Sequence, residues 1–120
     1  MKRVLWISRH QMTEFQQKDL ARVLGDEVEL VTWKDTVTDL AELMPELHRA
    51  DAVAAVLPVR LLAELVAVAG EKPVFQSWAA RTPTGRILEL ADGRREAEMQ
   101  FRHLGWEQIL RLELETKRFV

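Results

Sequence analysis

Val4-Leu5-Trp6-Ile7-Ser8-Arg9-His10-Gln11-Met12-Thr13 decides the fold: four consecutive apolar residues give way to four hydrogen-bonding ones, and a helix start follows. An unbroken apolar run of this length is the mark of a strand buried on both faces, as in a parallel sheet covered by helices. The first expected strand is therefore Arg3 to Ile7. Thr13 with Gln16 three residues on is a capping-box pair, and Phe15, Leu20, Val23 and Leu24 recur at helical spacing before Gly25.

The same alternation repeats downstream. Val28 to Thr32 reads as a strand, and Thr36 or Thr38 caps a helix carrying Val37, Leu40, Leu43, Met44 and Leu47. Pro45 lies inside that helix, lacks an N–H and clashes with the preceding turn, so a bend or two short pieces are expected. Ala52 to Leu57 is small and apolar throughout, like a central strand. Pro58 suits the first turn of a helix from Val59 to Ala69, which Gly70 ends. Lys72 to Gln76 is the fourth strand, and Ser77 to Gly85, polar and rich in turn formers, is expected as a loop. Beyond Gly85 the period becomes two. Ile87, Leu88 and Leu90 lead to the hairpin signal Asp92-Gly93, and Ala97, Met99 and Phe101 alternate with Glu98, Gln100 and Arg102. Gly105 is expected at a further turn, and Leu110, Leu112 and Leu114 in a last strand. The order predicts one α/β domain over residues 1–120. It would be a Rossmann-like, mostly parallel sheet with helices on both faces, extended by a C-terminal antiparallel β meander.

Composition narrows the function. The chain has no cysteine, which removes disulfides and thiolate chemistry. No apolar run approaches the roughly 20 residues of a membrane span, and Lys2-Arg3 leads straight into a strand, so a soluble, cytoplasmic protein with no membrane partner is expected. A net charge of −2 argues against duplex DNA, which selects a basic face. A small anion needs only a few focused donors. Neither a dinucleotide-type glycine fingerprint nor a P-loop is present, and the three histidines are scattered, so no cofactor and no metal site are expected.

Position singles out Ser8, Arg9, His10 and Gln11. At the carboxyl end of a buried strand, ahead of a helix N-terminus, free N–H groups and the helix dipole favour an anion. Arg9 is a bidentate phosphate donor, while Ser8, Gln11 and Thr13 supply neutral partners. His10 is the group there suited to proton transfer near neutrality. Gln76, Ser77, Trp78 and Arg81 end the fourth strand and are expected to converge on the same ligand, with Trp78 available for stacking and Pro58 shaping the cleft. Trp6 and Phe75 read as core, Trp106 as packed on the meander, and His103 as a residue that could serve a subunit contact.

Ile7-Ser8-Arg9-His10-Gln11-Met12-Thr13, with Gln16 or Gln17 and Asp19 just beyond, resembles the opening of small stand-alone CARF-like proteins linked to type III CRISPR systems. The likeness covers Met1 to Leu20, together with chain size and element order. Gln11 and Met12 depart from the commonest form of that turn. The resemblance implies a homodimer that binds a cyclic oligoadenylate, such as cyclic tetra-adenylate. It also implies metal-independent ring-nuclease cleavage, in which the ribose 2′-hydroxyl attacks the adjacent phosphorus, with Arg9 stabilising charge and His10 transferring the proton. Two other readings fit the same fold: a non-catalytic module that binds or sequesters a nucleotide, and a mobile-element interaction protein using the edge of its meander.

Overall fold

A computed structural model describes all 120 residues. In chain order it contains β1 (Lys2–Ile7), α1 (Glu14–Leu24), β2 (Val28–Trp33), a 3-10 turn (Leu40–Leu43) running into α2 (Met44–Arg49), β3 (Ala52–Ala55), α3 (Val59–Ala69), β4 (Val74–Glu89) and β5 (Arg95–Gln108). The strands form one five-stranded mixed sheet in the order β2-β1-β3-β4-β5. The first four are parallel, and β5 runs antiparallel to β4. The protein is thus α/β, and no helix is long and apolar enough to cross a membrane.

β1 has a strand on either side and a helical layer on either face. Its apolar run accordingly disappears from solvent, with Val4, Leu5, Trp6 and Ile7 at 0–3% exposure. Val4 and Trp6 pack with Leu20 of α1 and with Phe75. Leu5 and Ile7 face the other way, into Leu43, Leu47, Leu62 and Leu65. The two-sided cover follows from strand order. The chain steps from β1 outward to β2, then reverses past β1 to β3 and β4, and right-handed crossovers in opposite directions put α1 on one face and α2 and α3 on the other.

Local chemistry explains the helix ends. The Thr13 hydroxyl accepts the Gln16 N–H at 3.1 Å, and the Gln16 side chain accepts the Thr13 N–H at 2.9 Å, completing the capping box. Pro45 falls in the first turn of α2, where no N–H is needed, and the expected break appears as the 3-10 turn followed by α2. The cap of that turn is Asp39, whose carboxylate accepts the Ala41 N–H at 2.9 Å, rather than Thr36 or Thr38. Phe15 and Val23, expected on the buried stripe of α1, are exposed, and Leu20 is the residue that α1 buries.

The C-terminal third corrects the sequence reading. The stretch from Ser77 to Gly85 is not a loop but part of β4, because β5 pairs along most of its length. Pro83 and Gly85 are accommodated where the pairing slips between Pro83 and Ile87. Gly105 is not a turn either: it lies inside β5, buried opposite Trp78, beside a second register slip. Residues 109–120 form no strand. Ile109 and Leu112 lie against the hydrophobic core instead, so the expected meander is a two-stranded ribbon. This ribbon stretches the molecule to a radius of gyration of 16.9 Å. A compact domain of this length has about 14 Å.

Leu65 carries α3 onto the sheet at 0% exposure. Leu65→Ala is expected to lower the unfolding free energy by about 2–5 kcal/mol, whereas exposed Leu114→Ala changes it by less than about 0.5 kcal/mol, measured by urea denaturation.

Candidate functional site

Reversal of strand order opens a crevice beyond the carboxyl ends of β1 and β3, the place where open α/β sheets hold ligands. The crevice has a volume of about 210 Å³ and is lined by Ser8 and Arg9 after β1, Asp35 and Thr36 after β2, and Leu57 and Pro58 after β3. Its floor is apolar, made by Ile7, Val37 and Val56.

The turn after β1 is held from three directions. The Ser8 N–H donates to the Trp33 carbonyl at 3.1 Å, the buried Ser8 hydroxyl accepts the His10 N–H at 3.0 Å, and the Trp6 indole N–H donates to the His10 carbonyl at 2.8 Å. Arg9 leaves this turn exposed. Its guanidinium donates to the Thr36 hydroxyl, and no carboxylate lies within ion-pair distance of it. Thr36 is free for this contact because Asp39 caps the following turn. Most of the Arg9 donor fork therefore remains available beside the crevice.

The helix terminus at this site is that of α3, not α1. Thr13 and Gln16 satisfy each other at α1, and Glu14 places a negative charge in its first turn. At α3 the N-cap is Pro58, which has no capping side chain, and the first turn contains no acidic residue. The first N–H of α3 to find an acceptor is that of Leu62, bonded to the Pro58 carbonyl at 2.9 Å, so those of Val59, Arg60 and Leu61 have none.

Of the expected binding residues, the crevice gathers Ser8, Arg9 and Pro58. The His10 imidazole, exposed and without a hydrogen bond, stands next to Arg9 but does not line the crevice, and Gln11 is exposed on the same turn. Thr13 is occupied as a cap. The expected second cluster does not converge here. Gln76 bonds Glu107 at 3.1 Å and lines a separate cavity with Val59 and Leu62; Arg81 lies 5.9 Å over the Phe101 ring; Trp78 is half exposed on the ribbon. β4 runs on as strand where the sequence reading placed a turn, which carries Trp78 and Arg81 away from the crevice rim.

Ser77 belongs to a second constellation, which the sequence did not reveal. Its hydroxyl meets His103 Nδ1 at 2.8 Å, and His103 Nε2 meets the Asp19 carboxylate at 3.1 Å. The side chain of His103 is 7% exposed and sits between Phe15 and Trp106, with ring centroids 5.7 and 5.2 Å away. A Ser-His-Asp chain suggests nucleophilic catalysis, but neither Ser77 nor His103 lines any cavity. It fastens α1 to the root of the ribbon. Trp106 reinforces the joint by meeting Trp6 edge-on at 5.9 Å and donating its indole N–H to the Gln16 carbonyl at 3.0 Å. Arg22 and then His103 hold the Asp19 carboxyl below its ordinary range by bonding its charged form. The histidine expected at a subunit contact is thus engaged within its own chain.

No group of three or more His, Asp or Glu side chains converges as a metal site. No protein family, curated protein or solved structure matches the chain.

Because the folded-state pKa of Asp19 lies below its unfolded value, its stabilisation is complete above about pH 4 and is lost as pH falls through the folded value. Asp19→Asn is expected to be less stable than the parent at pH 7. Urea titrations should show that difference shrinking by pH 3.

Proposed function

We propose that this chain is a Rossmann-like domain of the CARF-like kind that binds a cyclic oligoadenylate, with cyclic tetra-adenylate as the preferred ligand. Cleavage of that ligand would switch off type III CRISPR signalling in antiviral defence. The observation that carries the reading is an arginine free of carboxylate partners beside an uncapped helix terminus, at the reversal point of the sheet. Both donor sets favour a phosphodiester.

The chemistry asked of such a site is modest. The ribose 2′-oxygen attacks the neighbouring phosphorus, the bond from phosphorus to the 5′-oxygen breaks, and the products are a 2′,3′-cyclic phosphate and a 5′-hydroxyl. Arg9 and the N–H groups opening α3 stabilise the extra negative charge on the phosphoryl oxygens. Ser8 holds the turn that aims Arg9. The unbonded imidazole of His10 takes the 2′-hydroxyl proton, and solvent protonates the leaving oxygen. A cyclic ligand with two-fold symmetry is matched by two copies whose crevices face its axis.

His10 standing outside the crevice lining favours a second reading, in which the ligand is bound and sequestered without turnover. Incubation with cyclic tetra-adenylate in the presence of a chelator separates the two. The proposed activity yields linear products ending in a cyclic phosphate, whereas sequestration gives a thermal shift with intact ligand. Arg9→Ala is expected to slow cleavage by roughly 100-fold and to reduce the thermal shift. Neither a shift nor products at high protein concentration would overturn both readings.

A further inference from the structure

We infer that β5 is a pairing edge for a second copy of this chain, joined antiparallel about a two-fold axis near Met99 or Gln100. β5 is the last strand of the sheet, and its only backbone partner is β4. The outward N–H and C=O groups along Arg95 to Gln108 meet no acceptor or donor within the protein, and the C-terminal segment turns onto α3 rather than across them.

The two edges of the ribbon differ. Along its distal part β4 is also unpaired on its outer side, but that edge carries Pro83, Gly85 and the register slip between Pro83 and Ile87, which spoil it as a template. β5 has no proline or lysine, and from Arg95 to His103 it is regular. Exposed edges that stay single are normally blunted by lysine, proline or charge; this one lacks the first two, and its charges are of both signs and can pair with those of a second copy. The distal ribbon, moreover, is a two-stranded element, a kind that is marginal in water on its own. Joining β5 to its copy makes it four-stranded.

Side-chain order makes β5 complementary to itself. Alternation puts Ala97, Met99 and Phe101 on one face and Glu96, Glu98, Gln100 and Arg102 on the other. An axis perpendicular to the sheet keeps each face with its like. Centred on Met99 it opposes Arg102 to the partner's Glu96 and Phe101 to the partner's Ala97; centred on Gln100 it opposes Arg102 to the partner's Glu98 and Phe101 to the partner's Met99. Each pair occurs twice by symmetry. Centring on Glu98 instead sets Glu98 against its copy and Arg102 against the partner's Arg94, so charge selects the first two registers. Phe101, 74% exposed, gains an apolar neighbour in both.

The contact occupies neither crevice and points the two of them to opposite rims of the joined sheet. It is therefore a different contact from the ligand-facing pairing of two copies in the nucleotide reading, and either can fail alone. Sedimentation of the full chain without nucleotide tests it. The parent is expected at twice its 13.9 kDa mass, Arg102→Glu at half the parent value, and the triple exchange E96R/E98R/R102E back at the parent value. Circular dichroism should report a folded chain throughout, and Arg9→Ala should leave the mass unchanged. A monomeric parent at all concentrations, or a dimer indifferent to Arg102→Glu, would overturn the proposal.

Discussion

Burial of β1 on all four sides is the constraint from which the rest follows. A strand with neighbours on both edges and helices on both faces must be apolar throughout, and its chain must leave the sheet at the carboxyl end through a turn that satisfies its own polar groups. Ser8 and the His10 carbonyl do so here, by accepting the His10 N–H and the Trp6 indole N–H. The same placement forces the path to reverse around β1. A crevice between β1 and β3 is the geometric remainder of that reversal, and Arg9 lines it, held to Thr36 after β2.

The first two-thirds of the chain were legible because local and global preferences agree there. The capping pair Thr13 and Gln16, the break at Pro45 and the bounds of α3 all appear as read. The ribbon was less legible. Ser77 to Gly85 has the composition of a loop, and it becomes strand because β5 pairs with it while the register slip beside Ile87 absorbs Pro83 and Gly85. Leu110 to Leu114 alternates like a strand, but Leu112 uses the pattern to lie on the core with Ile109, with no neighbour to pair with.

The candidate site divides along the same line. Ser8, Arg9 and Pro58 could be found by asking where buried strands end. Thr36 was hidden because it also read as a helix cap, a role Asp39 takes. Asp19, Ser77 and His103 lie too far apart in the chain for spacing to connect them; the pairing of β5 with β4 brings His103 to Ser77, and the packing of α1 on β5 adds Asp19. Their bonding shows how a nucleophile, a base and an acid can be spent on architecture when no cavity adjoins them.

Trp106 has a consequence for how the molecule assembles. The turn at Asp92-Gly93 closes the ribbon through neighbours in sequence, a microsecond event, whereas the parallel pairs wait for three crossovers to be laid down. A ribbon formed early is a transient species until something anchors it. The indole, seated against Trp6 and α1, is that anchor, so the moment it docks is when the fast, local half of the chain becomes committed to the slow, long-range half.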